Sequence, residues 1–323
     1  MTMTKYFLAA LGSLFAMVFA ARPAAADEGG VSFWLPGQFG SFAAVPSTPG
    51  LTLPVIYYHY SGSAGADTLL PRGGSLTAGL DVDIDLGLFA PSYALEPQIL
   101  WGQLSFGVAA FFGHAAVGVD ATLMSPRGNT FANKTSDTVT GFGDLYPTAQ
   151  LHWNNGVVNA LWYVMGGVPV GAYDAEQLAN LGTNHWSIDM GGGFTYFDTK
   201  AGHEFSLVVG DTYNFANPDT HYRNGVSIHA DASLSQFLSE SIHIGLVGYL
   251  YNQLTGDDAP APLPSGLKSR IYAAGLQLGW FFNIGKYQPY LNLKGYYEFS
   301  AKNRPEGWNL WLLFAFPCSA ATG

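Results

Sequence analysis

From Ser75 onward the chain breaks into stretches of about ten residues in which apolar and polar side chains alternate, separated by Gly, Asn, Asp and Pro. Successive side chains of a strand point to opposite faces, so such a stretch presents one apolar and one polar face. The clearest is Leu80-Asp81-Val82-Asp83-Ile84-Asp85-Leu86, with every apolar residue on one face and every aspartate on the other. Past the N-terminal region no uninterrupted apolar run of about 18 residues occurs, which closes the helical route across a bilayer. Charged residues make up only 11% of the chain, against roughly 25% in ordinary soluble domains, while aromatics reach 15%. So much aromatic surface with so little charge needs an apolar solvent. Strands cross lipid only as a closed barrel, because an open sheet edge would leave backbone groups unpaired. The predicted fold class is therefore all-β, a transmembrane antiparallel up-and-down β-barrel.

Twelve strands are expected, at 74–88, 102–113, 116–124, 142–153, 157–169, 185–196, 204–214, 222–236, 241–252, 270–282, 287–299 and 306–316. The connections at 114–115, 154–156, 237–240 and 283–286 are then short, and those at 89–101, 125–141, 170–184 and 253–269 long. Short periplasmic turns and long outer loops produce that rhythm. Leu51 to Tyr60 also reads as a strand, and pairing it with Tyr93 to Trp101 gives the alternative of fourteen. In Gly307 to Phe316, Trp308, Leu310, Leu312, Phe314 and Phe316 form an apolar row resembling the closing-strand signal of outer-membrane proteins. That resemblance implies the barrel-assembly machinery as a partner, although the chain runs on through 317–323 as a tail.

The first residues read as a secretory signal: Lys5, an apolar run from Tyr6 to Ala21, and Ala24-Ala25-Ala26 before Asp27. Cleavage after Ala26 would leave 323 − 26 = 297 residues and, with Lys5 and Arg22 lost, move the formal charge from −10 to −12. Nucleic acid is excluded as a partner, since its phosphates would be repelled. The single cysteine, Cys318, excludes a disulfide framework within the chain. Residues 27–73 form a leader ahead of a barrel at 74–316. Its Phe33, Trp34, Phe39 and Phe42 ask for burial, while Pro36, Pro46 and Pro49 oppose a regular ladder. A plug folded into the lumen satisfies both demands; a disordered leader is the alternative.

Three constellations invite a chemical reading. Asp81-x-Asp83-x-Asp85 starts like a calcium loop but has Leu86 where that loop needs Gly and Ser92 where it needs Glu. In a strand the three carboxylates form an acidic ladder, expected to face the lumen. His185 with Asp189, and His229 with Asp231, fall on common strand faces and suit metal or proton chemistry, or simply a polar wall. Gly191-Gly192-Gly193 lies within a strand, which weakens a phosphate-loop reading and suits close approach of another backbone. With no nucleophile spaced to a base, neither enzyme activity nor any cofactor or metal is expected.

Four segments together resemble a family: Trp34 to Ser41 (Trp-Leu-Pro-Gly-Gln-Phe-Gly-Ser), Gly141 to Pro147, Gly210 to Phe215, and Arg304 to Leu310. They are similar to the outer-membrane proteins named for the meta-pathway of phenol degradation, and the likeness spans nearly the whole mature chain. The resemblance implies a barrel tied to aromatic catabolism that passes small hydrophobic solutes across a Gram-negative outer membrane, among lipid and lipopolysaccharide. It carries over no catalytic residue. On this reading Trp34, Phe39 and Phe42 line a gate, and Asp81, Asp83, Asp85, Asp144 and Asp189 set the polarity of the wall. A general porin for polar solutes and a structural envelope protein remain the alternatives.

Overall fold

The computed structural model describes residues 32–69, 75–124, 130–260 and 265–319; the expected signal at 1–26 lies outside them. The strands are β1 (Gly50–Leu69), β2 (Ser75–Phe89), β3 (Ser92–Ile99), β4 (Gly102–Met124), β5 (Thr130–Asn155), β6 (Val158–Gly167), β7 (Ser187–Asp198), β8 (His203–Asn214), β9 (Ser227–Phe237), β10 (Ile242–Gln253), β11 (Arg270–Phe281), β12 (Tyr290–Lys302) and β13 (Glu306–Pro317). All belong to one antiparallel sheet, and β13 pairs back onto β1 from Thr52↔Pro317 to Ser63↔Glu306, which closes the barrel. β2 and β3 both pair with β4 and act as one spanning strand, so the closed barrel has twelve.

The strand number agrees with expectation through two compensating differences. Gly50–Leu69, expected within the leader, is a full barrel strand between β13 and β2. Conversely, no turn falls at 114–115, because His114 and Ala115 continue the ladder opposite Asp85 and Ile84. The Gly113-His114-Ala115-Ala116 stretch has no residue that demands a turn conformation. Tyr93 to Trp101 is neither a long loop nor an extra span; it continues β2 after an interruption at Pro91, whose missing N–H cannot join a ladder. The chain then reverses at Leu100 and Trp101, both with positive φ. Finally, most of 125–141 belongs to β5. Its polar run Lys134-Thr135-Ser136-Asp137-Thr138 hides the strand because it carries no apolar alternation.

These differences cluster on one side. β1, β4 and β5 have 20, 23 and 26 residues, against 10 to 13 in β6 to β13. About ten residues suffice to cross the apolar band, so this side rises on the order of 30 Å further along the strands. The ends at which β1 begins and β13 finishes are joined by short turns, and the opposite end carries the connections 168–186, 215–226 and 254–269. Alternation is cleanest in β8: Glu204, Ser206, Val208, Thr212 and Asn214 point inward and are buried, while Phe205, Leu207, Val209 and Tyr213 point outward.

Candidate functional site in the barrel lumen

Residues 32–49 run along the inner face of the sheet, held by side chains from several strands. Pro36 and Gly37 make a turn, and Gly37 adopts a φ of 88°, a conformation glycine allows. The amides of Gly37 and Phe39 donate to the two oxygens of Asp231 on β9, at 2.9 and 3.1 Å. The carbonyls of the same two residues accept from Lys294 Nζ on β12, at 2.5 and 3.1 Å. The backbone is thus clamped between a buried anion on its donors and a buried cation on its acceptors. Each bond is charge-assisted and therefore stronger than a neutral one.

A second tie lies further along. Ser41 Oγ and the Phe42 amide donate to Glu204 of β8, at 2.8 and 3.1 Å. The Ala44 amide donates to Thr195 Oγ1 at 3.0 Å, and its carbonyl accepts from His152 Nδ1 at 3.2 Å. Phe42, with φ 65°, reaches into a cluster of Phe197, Phe237, His243, Phe281 and Tyr290 at the end bearing the short turns. At the opposite end Phe33 meets Tyr146 of β5, and Trp34 stacks on His229 of β9. The segment therefore spans much of the lumen's length.

The anticipated wall residues separate into three environments. Asp189 joins the Trp34 cluster: it accepts from the Tyr163 hydroxyl at 2.7 Å and pairs with His229 Nε2 at 2.8 Å, both partners buried. The pairing is across strands, so the expected His185–Asp189 and His229–Asp231 couples do not form; His185 Nδ1 donates instead to the Trp186 carbonyl. Asp144 turns toward the connection 168–186. It sits where β5 has one residue more than β4, a bulge that brings Gly143 against the Phe111 ring so closely that no Cβ fits there. Its carboxylate accepts from the Gly171 amide and from the Thr183 amide and hydroxyl, all at 2.8 Å. Asp144→Ala is expected to cost about 1–3 kcal/mol and to open the chain at Tyr173 to chymotrypsin; proteolysis of the folded barrel measures it.

Asp81, Asp83 and Asp85 do not line the lumen. Leu80, Val82, Ile84 and Leu86 are the buried inward row, sharing a face with Tyr58 and Tyr60 of β1 and with Trp311 and Asn309 of β13. The aspartates point outward, where Asp85 accepts from the Tyr57 hydroxyl at 2.5 Å and meets His59 Nδ1 at 2.9 Å. Alternation defines two faces without saying which one meets lipid. On the tall side of the barrel the outer face carries these aspartates, and the inner row packs in the same buried cluster as Ala179 and Leu181 of the 168–186 connection. Polarity there runs opposite to that of the apolar band.

The loop end has its own hub. Asp257 accepts from the Tyr222 hydroxyl at 2.6 Å, from the Gly225 amide at 2.9 Å and from Gln253 Nε2, tying 215–226 to 254–269. Burial holds its carboxyl above the usual carboxylate range, opposed by those three donors. Among the described residues no three His, Cys, Asp or Glu side chains gather as metal ligands. Of the residues that grip the segment, Asp231 was expected only as a partner of His229, and Lys294 and Glu204 were not expected at the site. The alternation of Leu291, Leu293 against Asn292, Lys294 does place Lys294 on the lumen face, and a lone lysine on an inner wall of an acidic chain was the available signal.

Residues 65–314 match the family model described as "Putative MetA-pathway of phenol degradation". No curated protein matches the chain in sequence. Among solved structures, the chain is similar to the COG4313 outer membrane channel from Pseudomonas putida F1, with a TM-score of 0.64 and 16% identity over 85% of this chain and 98% of that one. A Pseudomonas aeruginosa FadL homologue (TM-score 0.39, 9% identity, 82% and 88% covered) and the transport unit of the Escherichia coli autotransporter AIDA-I (0.41, 11%, 84% and 91%) are more distant. The first shares the barrel fold described above.

Proposed function

This chain belongs to the MetA-pathway phenol-degradation family, and on that premise we propose that it is a passive outer-membrane channel for uptake of small hydrophobic or aromatic compounds, and not an enzyme. The end with the short turns, where β1 begins and β13 finishes, faces the periplasm, and the looped end faces outward. Residues 1–26 are the export signal, and residues 32–49 act as a plug across the lumen. The observation that carries this reading is the grip on that segment: an aromatic-rich stretch, clamped by Asp231 and Lys294 and anchored by Phe42, lying where a solute would pass. An outward band that includes Leu207, Leu246, Leu276 and Trp162 supports a membrane setting. Lipopolysaccharide is a poor solvent for hydrophobic molecules, so a protein route serves them.

The test is uptake of labelled phenol, toluene, an alkane and a sugar by cells with and without the protein. Selective loss of aromatic and hydrophobic uptake is expected. Loss of sugar uptake alone points to a general porin, and leakiness to every solute points to a structural role in the envelope.

A further inference from the structure

Trp34 is buried more completely than occlusion of a pore requires. Its indole lies face to face on the His229 imidazole, with ring centroids 3.4 Å apart and planes 18° apart. Phe39 and Tyr163 stand beside it at 5.9 and 6.5 Å. The floor of this slot is rigidly built. His229 is fixed through Nε2 to Asp189, and Asp189 also accepts from the Tyr163 hydroxyl and from Thr212 Oγ1, at 2.7 and 2.5 Å. Gly210 on β8 leaves the space: a Cβ there would run into the Tyr163 hydroxyl and the His229 ring. Four neighbouring strands, β6 to β9, thus contribute to one flat aromatic seat.

The occupant does not satisfy the seat's polar groups. Trp34 Nε1, His229 Nδ1 and Ser227 Oγ are each buried without a hydrogen-bond partner, and Ser227 and His229 lie two apart on the inward face of β9. Buried donors and acceptors of a permanent core are almost always paired. A seat shaped for a ring, with polar atoms its resident leaves unmet, is suited to a different ring bearing its own hydrogen-bonding group. We propose that this slot is a recognition site for planar aromatic solutes of one or two rings carrying a hydroxyl or N–H, and that Trp34 is its resident stand-in. A solute arriving from the looped end displaces the indole and loosens residues 32–36 from the wall, ahead of the clamp at 37–39. The inference rests on the channel reading and names the solute class at that site.

Purified full-length barrel carrying Trp34→Gly tests it, with free indole as the probe and phenol, cyclohexanol and glucose for comparison. Indole is expected to bind saturably in roughly the millimolar range, raising the unfolding temperature of the barrel and lowering its conductance. Cyclohexanol, which has the hydroxyl but no flat ring, is expected to bind about tenfold more weakly, and glucose not at all. Trp34→Phe keeps a smaller ring in the seat and gives a second measurement in a conservatively altered protein. Indole affinity should rise in the order wild type, Trp34→Phe, Trp34→Gly. Failure of indole to bind the folded variants, or equal binding of cyclohexanol, overturns the slot. Indole binding without aromatic uptake by cells keeps the slot and removes the transport reading; uptake without binding does the reverse.

Discussion

Removal of residues 32–48 is expected to raise single-channel conductance on the order of tenfold, because it empties a lumen wide enough to hold a polypeptide segment along much of its length. The barrel should survive the deletion, since the first strand begins at Gly50 and its pairings with β13 and β2 involve none of the removed residues. Planar-bilayer recording of the deleted and intact proteins measures the effect, with heat-shifted gel mobility reporting that the barrel has closed. An unchanged conductance would mean that ions bypass the segment, and the plug reading would fall. The ties lost include those to Asp231, Glu204, Thr195 and Lys294. The deletion therefore also leaves charged groups on the inner wall free to meet water.

Lys294→Met has the next largest expected consequence. Lys294 is 4% exposed and Asp231 3%, and both hold Gly37 and Phe39 of the segment, one through their carbonyls and the other through their amides. Replacing the lysine leaves the Asp231 carboxylate buried without its cation, a loss expected to cost about 3–5 kcal/mol. Asp231→Asn strands the ammonium in the same way. The double variant Asp231→Asn, Lys294→Met should be less destabilised than the sum of the two, because neither charge is then left alone. Urea unfolding of the four proteins in detergent gives the coupling. Strict additivity would show that each residue works separately and that the clamp is not a unit.

Period-two alternation revealed the barrel from β6 to β13 because those strands turn apolar side chains outward and mostly polar ones inward. It failed where the physical surroundings change along the strand. Lys134 to Thr138 is polar on both faces, and that part of β5 is exposed on both. Leu80 to Leu86 alternates clearly, yet the inward face is the apolar one. A strand pattern fixes spacing without fixing solvent, so the orientation of Asp81, Asp83 and Asp85 was not legible. Burial of Trp34, and partial burial of Phe39 and Phe42, was legible from their hydrophobicity. Their partners were not, since Asp231, Glu204 and Lys294 lie about 160 to 260 residues away in sequence and only ring closure brings them close.

The seam between β1 and β13 has a further consequence for how the molecule is made. The first and last strands are partners along twelve residue pairs from Thr52↔Pro317 to Ser63↔Glu306, so the ring cannot shut until the whole chain is present. Gly50 begins β1 immediately after the stretch gripped by β8, β9 and β12. The strand that closes the ring and the stretch held inside it are therefore one continuous piece of chain, joined at Gly50.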